Sequence, residues 1–306
     1  MKPDRFTPNQ QAWRRFRRQP VALASAGLLG VLGLAALAGP ALWPYAPDAI
    51  SDLQFGPPGF AHWFGTDVHG RDLLARVLAG ARVSLLVGAL GAGVSLVIGV
   101  MWGALAGYVG GRLDSLMMRA VDILYSLPSI VFVIVLLTAL NGVLERAEAR
   151  GLSGGTCQRL QWLGLFVGLG AVSWLTMARI VRGQVLSLRQ RPFVEASLAL
   201  GASHLRVLWG HILPNVSGVV IVYLALTVPA VVLYESFLSY LGLGIQPPQA
   251  SLGSLIAEGA TQINALRTYW WLIVFPAAAL TTALLALNFV GDGLREAFDP
   301  RAGRGG

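Results

Sequence analysis

The chain has 306 residues, 55% of them hydrophobic and only 12% charged, with a formal net charge of +8 and a mean hydropathy of +0.63. Soluble domains carry about 25% charged residues, so this composition excludes a soluble fold of this size, along with disorder, collagen and coiled coil. A lone cysteine, Cys157, excludes an intrachain disulfide, and a lone lysine, Lys2, excludes a P-loop, whose nucleotide-binding turn needs a Gly-Lys pair.

A helix crossing the bilayer core needs about 20 apolar residues. Residues 1–20 form a basic tail, followed by the uncharged run Val21 to Trp43, and 21–79 read as a first span plus an extramembrane segment. That run has 23 residues, longer than a signal-peptide core of about 7–15, so it is read as a retained span. Five further spans are expected at about 83–111, 119–144, 160–178, 212–234 and 268–291, within a region covering 80–293, with a tail over 294–306. Ser236 to Ala257 is uncharged as well, but Gln246-Pro247-Pro248-Gln249 interrupts it, which predicts a surface or re-entrant loop.

Six spans place both termini on one side. Sixteen of the 23 basic residues fall on that side, including Arg14, Arg15, Arg17 and Arg18 in the first tail and Arg179, Arg182, Arg189, Arg191 and Arg206 between spans four and five. The positive-inside rule then makes the termini cytoplasmic. This bias accounts for the net charge without nucleic acid, and the basic clusters lack the interleaved aromatics that stack on bases.

Within the spans, Gly99, Gly103, Gly107 and Gly111 recur every four residues, a spacing that lets helices approach closely in lipid, either internally or at a subunit face. Pro128, Pro229 and Pro276 predict bends. Ionisable residues are nearly absent at mid-depth, with Glu235 near the outer end of the fifth span. Transporters driven by protons or ions place such groups inside the membrane. A self-sufficient secondary transporter or channel is the alternative reading; it calls for buried ionisable groups or an inverted repeat. A non-transport scaffold is a third. Tyr234, Glu235 and Asn288 are the candidate path-lining residues.

One motif match reads as chance. Gly151-Leu152-Ser153-Gly154-Gly155 fits G-x-S-x-G, but no strand precedes it as a nucleophile elbow requires. His62, His69, His204 and His211 lack metal-ligand spacing, and Cys157 reads as an ordinary loop cysteine.

The segment 179–214 carries more information. Pro192 suits a first helical position, with Phe193, Ala196 and Leu200 on one face of that helix. Gly201 suits a left-handed stop and Ser203 a new cap. Leu205, Leu208, Trp209 and Ile212 then follow at amphipathic spacing up to Pro214. The expectation is a helix–glycine–helix elbow, suited either to docking on a partner or to lying on lipid headgroups.

Glu195-Ala196-Ser197, then Gly201, then Ile212-Leu213-Pro214 resembles the EAA loop of ABC importer permeases, with Ser197 in place of the second alanine and His211 at the usual isoleucine position. Trp63-Phe-Gly-Thr-Asp-Val-His-Gly-Arg-Asp72, Met118 to Pro128, Glu235 to Pro248 and Gly291 to Arg301 resemble the C-type subunits of dipeptide/oligopeptide permeases. The resemblance implies an all-α type I ABC importer transmembrane domain in a bacterial inner membrane. It implies peptide cargo, a second homologous permease, two ABC ATPases that bind ATP and Mg, and a periplasmic or lipid-anchored binding protein. No cofactor is expected in this chain. By the same resemblance Glu195, Ala196, Ser197, Gly201, Ala202, Ser203, His204 and Leu205 contact an ATPase. Thr66, Asp67, Gly70, Arg71 and Asp72 form either a periplasmic gate or binding-protein contact, or a polar turn in which Asp72 caps an interfacial helix Leu73 to Ala81.

Overall fold

Long apolar stretches without breakers fold as helices because a bilayer offers the backbone no other hydrogen-bond partner. A computed structural model describes residues 8–151, 153–245, 249–263 and 267–298. Along these the helices are α1 Pro8–Phe16, α2 Pro20–Leu42, α3 Leu73–Val109, α4 Gly111–Ser126, α5 Ser129–Ala149, α6 Gly154–Arg189, α7 Pro192–Ala199 and α8 His204–Val207. A π turn, Leu208–Ile212, then leads into α9 Leu213–Tyr240, followed by α10 Leu252–Thr261 and α11 Trp271–Phe298. Six helical units are long and apolar enough to cross a membrane: α2, α3, α5, α6, the continuous rod from His204 to Tyr240, and α11.

The helix ends differ from the charge-free runs. α3 begins at Leu73, not near 83, because Arg76 inside it is paired with carboxylates and needs no water. Its 37 residues span about 55 Å at 1.5 Å per residue, well beyond a hydrocarbon core of about 30 Å. The third run divides. Pro128 holds Leu127 extended, so the chain breaks between α4 and α5. Only α5 has the apolar character of a span; α4 is amphipathic and ties to α6 through Arg182 and Asp114.

α3 and α6 form the centre of the bundle. Their seam uses the glycine repeat internally: a Cβ at Gly99 would lie 2.6 Å from Met177 Cβ, and one at Gly103 would lie 2.4 Å from the Ala178 carbonyl oxygen. The repeat therefore joins two helices of one chain. Pro229 and Pro276 sit inside α9 and α11 as expected.

The first and last described helices meet at one end of the bundle, where Phe16 and Ala22 pack on Ala297. The same end holds the ends of α3 and α6, joined by Arg189 donating to the Val109 carbonyl. Residues 246–248 of the interrupted stretch lie outside the described residues; after them α10 packs against α9 and α11 at the far end, starting from a Ser251–Ser254 capping box. Arg301 and the rest of the tail beyond 298 also lie outside the described residues. Ser153 accepts a hydrogen bond from Thr156 N and caps α6, which gives that motif a structural role. Cys157 is buried in the first turn of α6, not in a loop.

Candidate functional site: the elbow and the far-end polar network

The elbow is built from local chemistry. Pro192 starts α7, and Gly201 turns the chain at φ +85°, a left-handed conformation that costs other residues energy. Ser203 then caps α8 by accepting from Arg206 N. Pro214 lies in the first turn of α9, at the boundary expected for it, but the chain does not break there. The π turn before it absorbs the missing N–H, and the helix runs on into α9. Force on α8 therefore passes along a single rod.

The π turn also changes which side chains face inward. Val194, Val207, Leu208 and Ile212 are buried in one cluster with Val185 of α6 and Val216 of α9. Leu205 and Trp209, expected on the same face as Leu208 and Ile212, are exposed. So are Phe193 and Ala196, and Leu200 is 89% exposed. Phe193, Leu200, Leu205 and Trp209 are thus all exposed on an anchored elbow, as are Glu195 and Ala196. Ser197 donates to the Phe193 carbonyl, and Ala202 is half-buried against the core. A groove of about 860 Å³ runs between the elbow and the ends of α3 and α6, lined by Tyr108, Arg189, Glu195 and His204 among others. Across it the Tyr108 hydroxyl meets His204 Nδ1 at 2.8 Å. Sequence reasoning missed Tyr108, since nothing local marks it.

At the far end, the residues expected to gate or to meet a binding protein are mostly interior. Thr66, Asp67, Gly70 and Asp72 are buried, and Arg71 is half-buried. Asp67 Oδ1 accepts from the backbone of His69 and Arg71, and its Oδ2 accepts from Arg71 Nε at 2.6 Å and Arg76 Nη1 at 2.8 Å. Burial pushes the Asp67 carboxyl up; the Arg71 backbone N–H and the Arg76 and Arg71 guanidiniums outweigh it, so the group sits below the ordinary 3.8. Arg76, 3% exposed, donates onward to both oxygens of Glu258 on α10.

Asp72 accepts from Ala75 N as the cap of α3, and also holds the Trp43 indole and His62. The cap reading is the geometry seen, although α3 continues through Ala81 to Val109. Thr66 bridges Gly56 N and the Leu53 carbonyl, and Gly70 lies so close to Ser51 that a Cβ would overlap its carbonyl oxygen. The segment is thus braced by its own hydrogen bonds, with Trp63 and His69 exposed at its surface. Arg76 and Glu258 were the residues missed. Glu258 is the only acid between Glu235 and Asp292, which is the one sequence signal that pointed to it.

The three candidate path-lining residues do not share a cavity. Glu235 is fully buried, accepting from Ser84 at 2.9 Å, Ser239 at 2.7 Å and Ser236 at 3.3 Å, in a joint between α3 and α9 beside the start of α10. Tyr234 is half-buried in the packing around Val133 and Leu238. Asn288 is exposed on α11, with its amide turned back onto the Leu284 carbonyl. Among the described residues no cluster of His, Cys, Asp and Glu could hold a metal.

Residues 99–304 match the family described as binding-protein-dependent transport system inner membrane component, and 7–58 match the N-terminal TM domain of oligopeptide transport permease C. The oligopeptide transport system permease protein OppC of Haemophilus influenzae is 42% identical over 95% of this chain and 88% of its own length. The dipeptide transport system permease protein DppC of Bacillus subtilis is 41% identical over 96% and 86%. The OppC of Escherichia coli is 43% identical over 95% and 91%.

Proposed function

The chain belongs to the family of binding-protein-dependent transport system inner membrane components, and from that membership we propose the assembly and mechanism in which it works. It is a multi-pass protein of the bacterial inner membrane and a permease subunit of an ATP-driven peptide importer, not itself catalytic. In the proposed assembly it forms half of the translocation pathway beside a second homologous permease. Two ATPase subunits bind ATP and Mg beneath them, and a periplasmic or lipid-anchored binding protein delivers di- and oligopeptides. The termini and the elbow face the cytoplasm, the side carrying most of the basic residues.

The observation that carries this reading is the elbow. Exposed Leu200, Leu205 and Trp209 on a buried, capped frame form an apolar knob suited to an ATPase groove. When the ATPases close on ATP they move the knob. The α8–π–α9 rod carries that displacement into the membrane, and the Tyr108–His204 contact carries it to α3. The far-end network of Asp67, Arg76 and Glu258 keeps the outer ends of α3 and α10 together while the inner ends shift.

Mild-detergent purification of the tagged chain from native membranes, with mass spectrometry of the eluate, tests this. Two P-loop ATPases and a second six-span permease are expected. Recovery of the chain alone or as a homo-oligomer would overturn the assembly and favour a self-sufficient carrier or channel.

A further inference from the structure

At the end of the bundle opposite the termini, a pocket of about 240 Å³ opens between the last turns of α5, the first turns of α6 and the turn that follows α9. Asn141 reaches it from α5, and Gln158, Gln161 and Trp162 from α6, with Glu148 at its rim and Ile245 closing the side. Asn141 and Gln161 are half-buried. None of the three side-chain amides has a hydrogen-bond partner among the described residues. Gln158 and Glu148 are exposed, so the pocket presents two half-buried amides behind an open polar mouth. Gly154 leaves room for the carboxylate, since a Cβ there would lie 3.1 Å from Glu148 Oε1.

We propose that this pocket receives the amino-terminal end of the peptide cargo as it leaves the binding protein, an inference that rests on the peptide-importer reading above. A side-chain amide offers both a donor and an acceptor, so Asn141, Gln158 and Gln161 match the C=O and N–H groups that every peptide carries. Glu148, at the exposed rim, accepts from the α-ammonium, while Leu137, Trp162 and Leu165 line the pocket beside the amides. None of these pairings depends on the cargo's side chains, so the pocket accepts peptides of differing sequence. Its volume is below the range of about 300–1,000 Å³ for sites that enclose a whole ligand, so it holds one end and leaves the rest of the peptide in the pathway.

The test uses the complete complex, with its ATPases, second permease and binding protein, in proteoliposomes. A tripeptide with a free amino terminus and a benzophenone side chain at its second residue is photolysed during turnover, and adducts are mapped by mass spectrometry. Adducts within residues 137–165, suppressed by excess tri-alanine, are expected. Asn141→Ala with Gln161→Ala should lower both adduct yield and tri-alanine uptake about tenfold, the loss of two amide contacts. Leu163→Ala, exposed on α6 outside the pocket, should retain both. Glu148→Gln should weaken labelling by the free-amine probe and leave that by its N-acetyl analogue unchanged. Adducts confined to other segments, or wild-type uptake by the double variant, would overturn the pocket while leaving peptide import intact. Failure of the wild-type complex to import tri-alanine would overturn both readings.

Discussion

Replacing Gly103 with alanine adds one carbon at the tightest point of the α3–α6 seam. That carbon would lie 2.4 Å from the Ala178 carbonyl oxygen and 3.0 Å from both Arg182 N and Val181 Cβ. An unstrained carbon–oxygen contact is about 3.4 Å, so the helices must part by about 1 Å. The movement also loosens the neighbouring contacts of Gly99 with Met177 and of Gly107 with the Arg182 carbonyl. Overpacking of this kind costs about 1–3 kcal/mol. Gly93, on the same helix, has open space where a Cβ would go, so Gly93→Ala gains helix propensity of up to about 1 kcal/mol. Tryptophan fluorescence on heating in detergent should show Gly103→Ala melting several degrees below wild type and Gly93→Ala at or above it. Equal stability of Gly103→Ala and wild type, or equal losses in the two variants, would refute an internal seam.

At the elbow, a Cβ at Gly201 would meet no atom within 4 Å, so the main cost of Gly201→Asp is the left-handed backbone, about 1–2 kcal/mol, plus a new charge on the elbow. The protein should fold and reach the membrane, with uptake and ATPase recovery both falling; normal uptake would remove the coupling role of the turn. Arg76→Met leaves Asp67 buried without its far-end partner and should cost about 3 kcal/mol in thermal unfolding; a loss under about 0.5 kcal/mol, the range of surface substitutions, would show the network to be dispensable. Asp67 has a folded pKa below its unfolded value, so its ionised form stabilises the fold above about pH 3.8, and that contribution is lost as pH falls through the lower folded value. Asp67→Asn should flatten the acid limb of the stability profile, and an unchanged limb would contradict the sign.

The six spans and the elbow were legible because both rest on patterns that lipid and capping impose. Uncharged runs marked the spans, and Pro192, Gly201 and Ser203 marked the elbow's starts and stops. The errors arise where tertiary contacts satisfy groups that look unsatisfied in one dimension. Arg76 hid the continuity of α3, whose first turns read as a separate interfacial helix until Asp67 and Glu258 were seen beside it. Pro214 marks the start of α9, but the π turn that joins it to α8 cannot be read from spacing, and Leu205 and Trp209 face outward against the periodicity. The hydroxyl partners of Glu235, Ser84, Ser236 and Ser239, could not be read from the sequence because Ser84 lies on another helix. The Thr66 to Asp72 segment carries so many polar residues that it reads as surface, yet each polar side chain in its core finds a partner within the fold.

Contact between the elbow and an ATPase can be read in native membranes with a photoreactive residue at Leu205 and a second at Val97, exposed on α3, as the control. If the elbow docks on an ATPase, the Leu205 variant forms an adduct with a P-loop ATPase whose yield changes on adding ATP, and Val97 forms none. No ATPase adduct at Leu205, or equal labelling from both positions, would show that the elbow does not dock there.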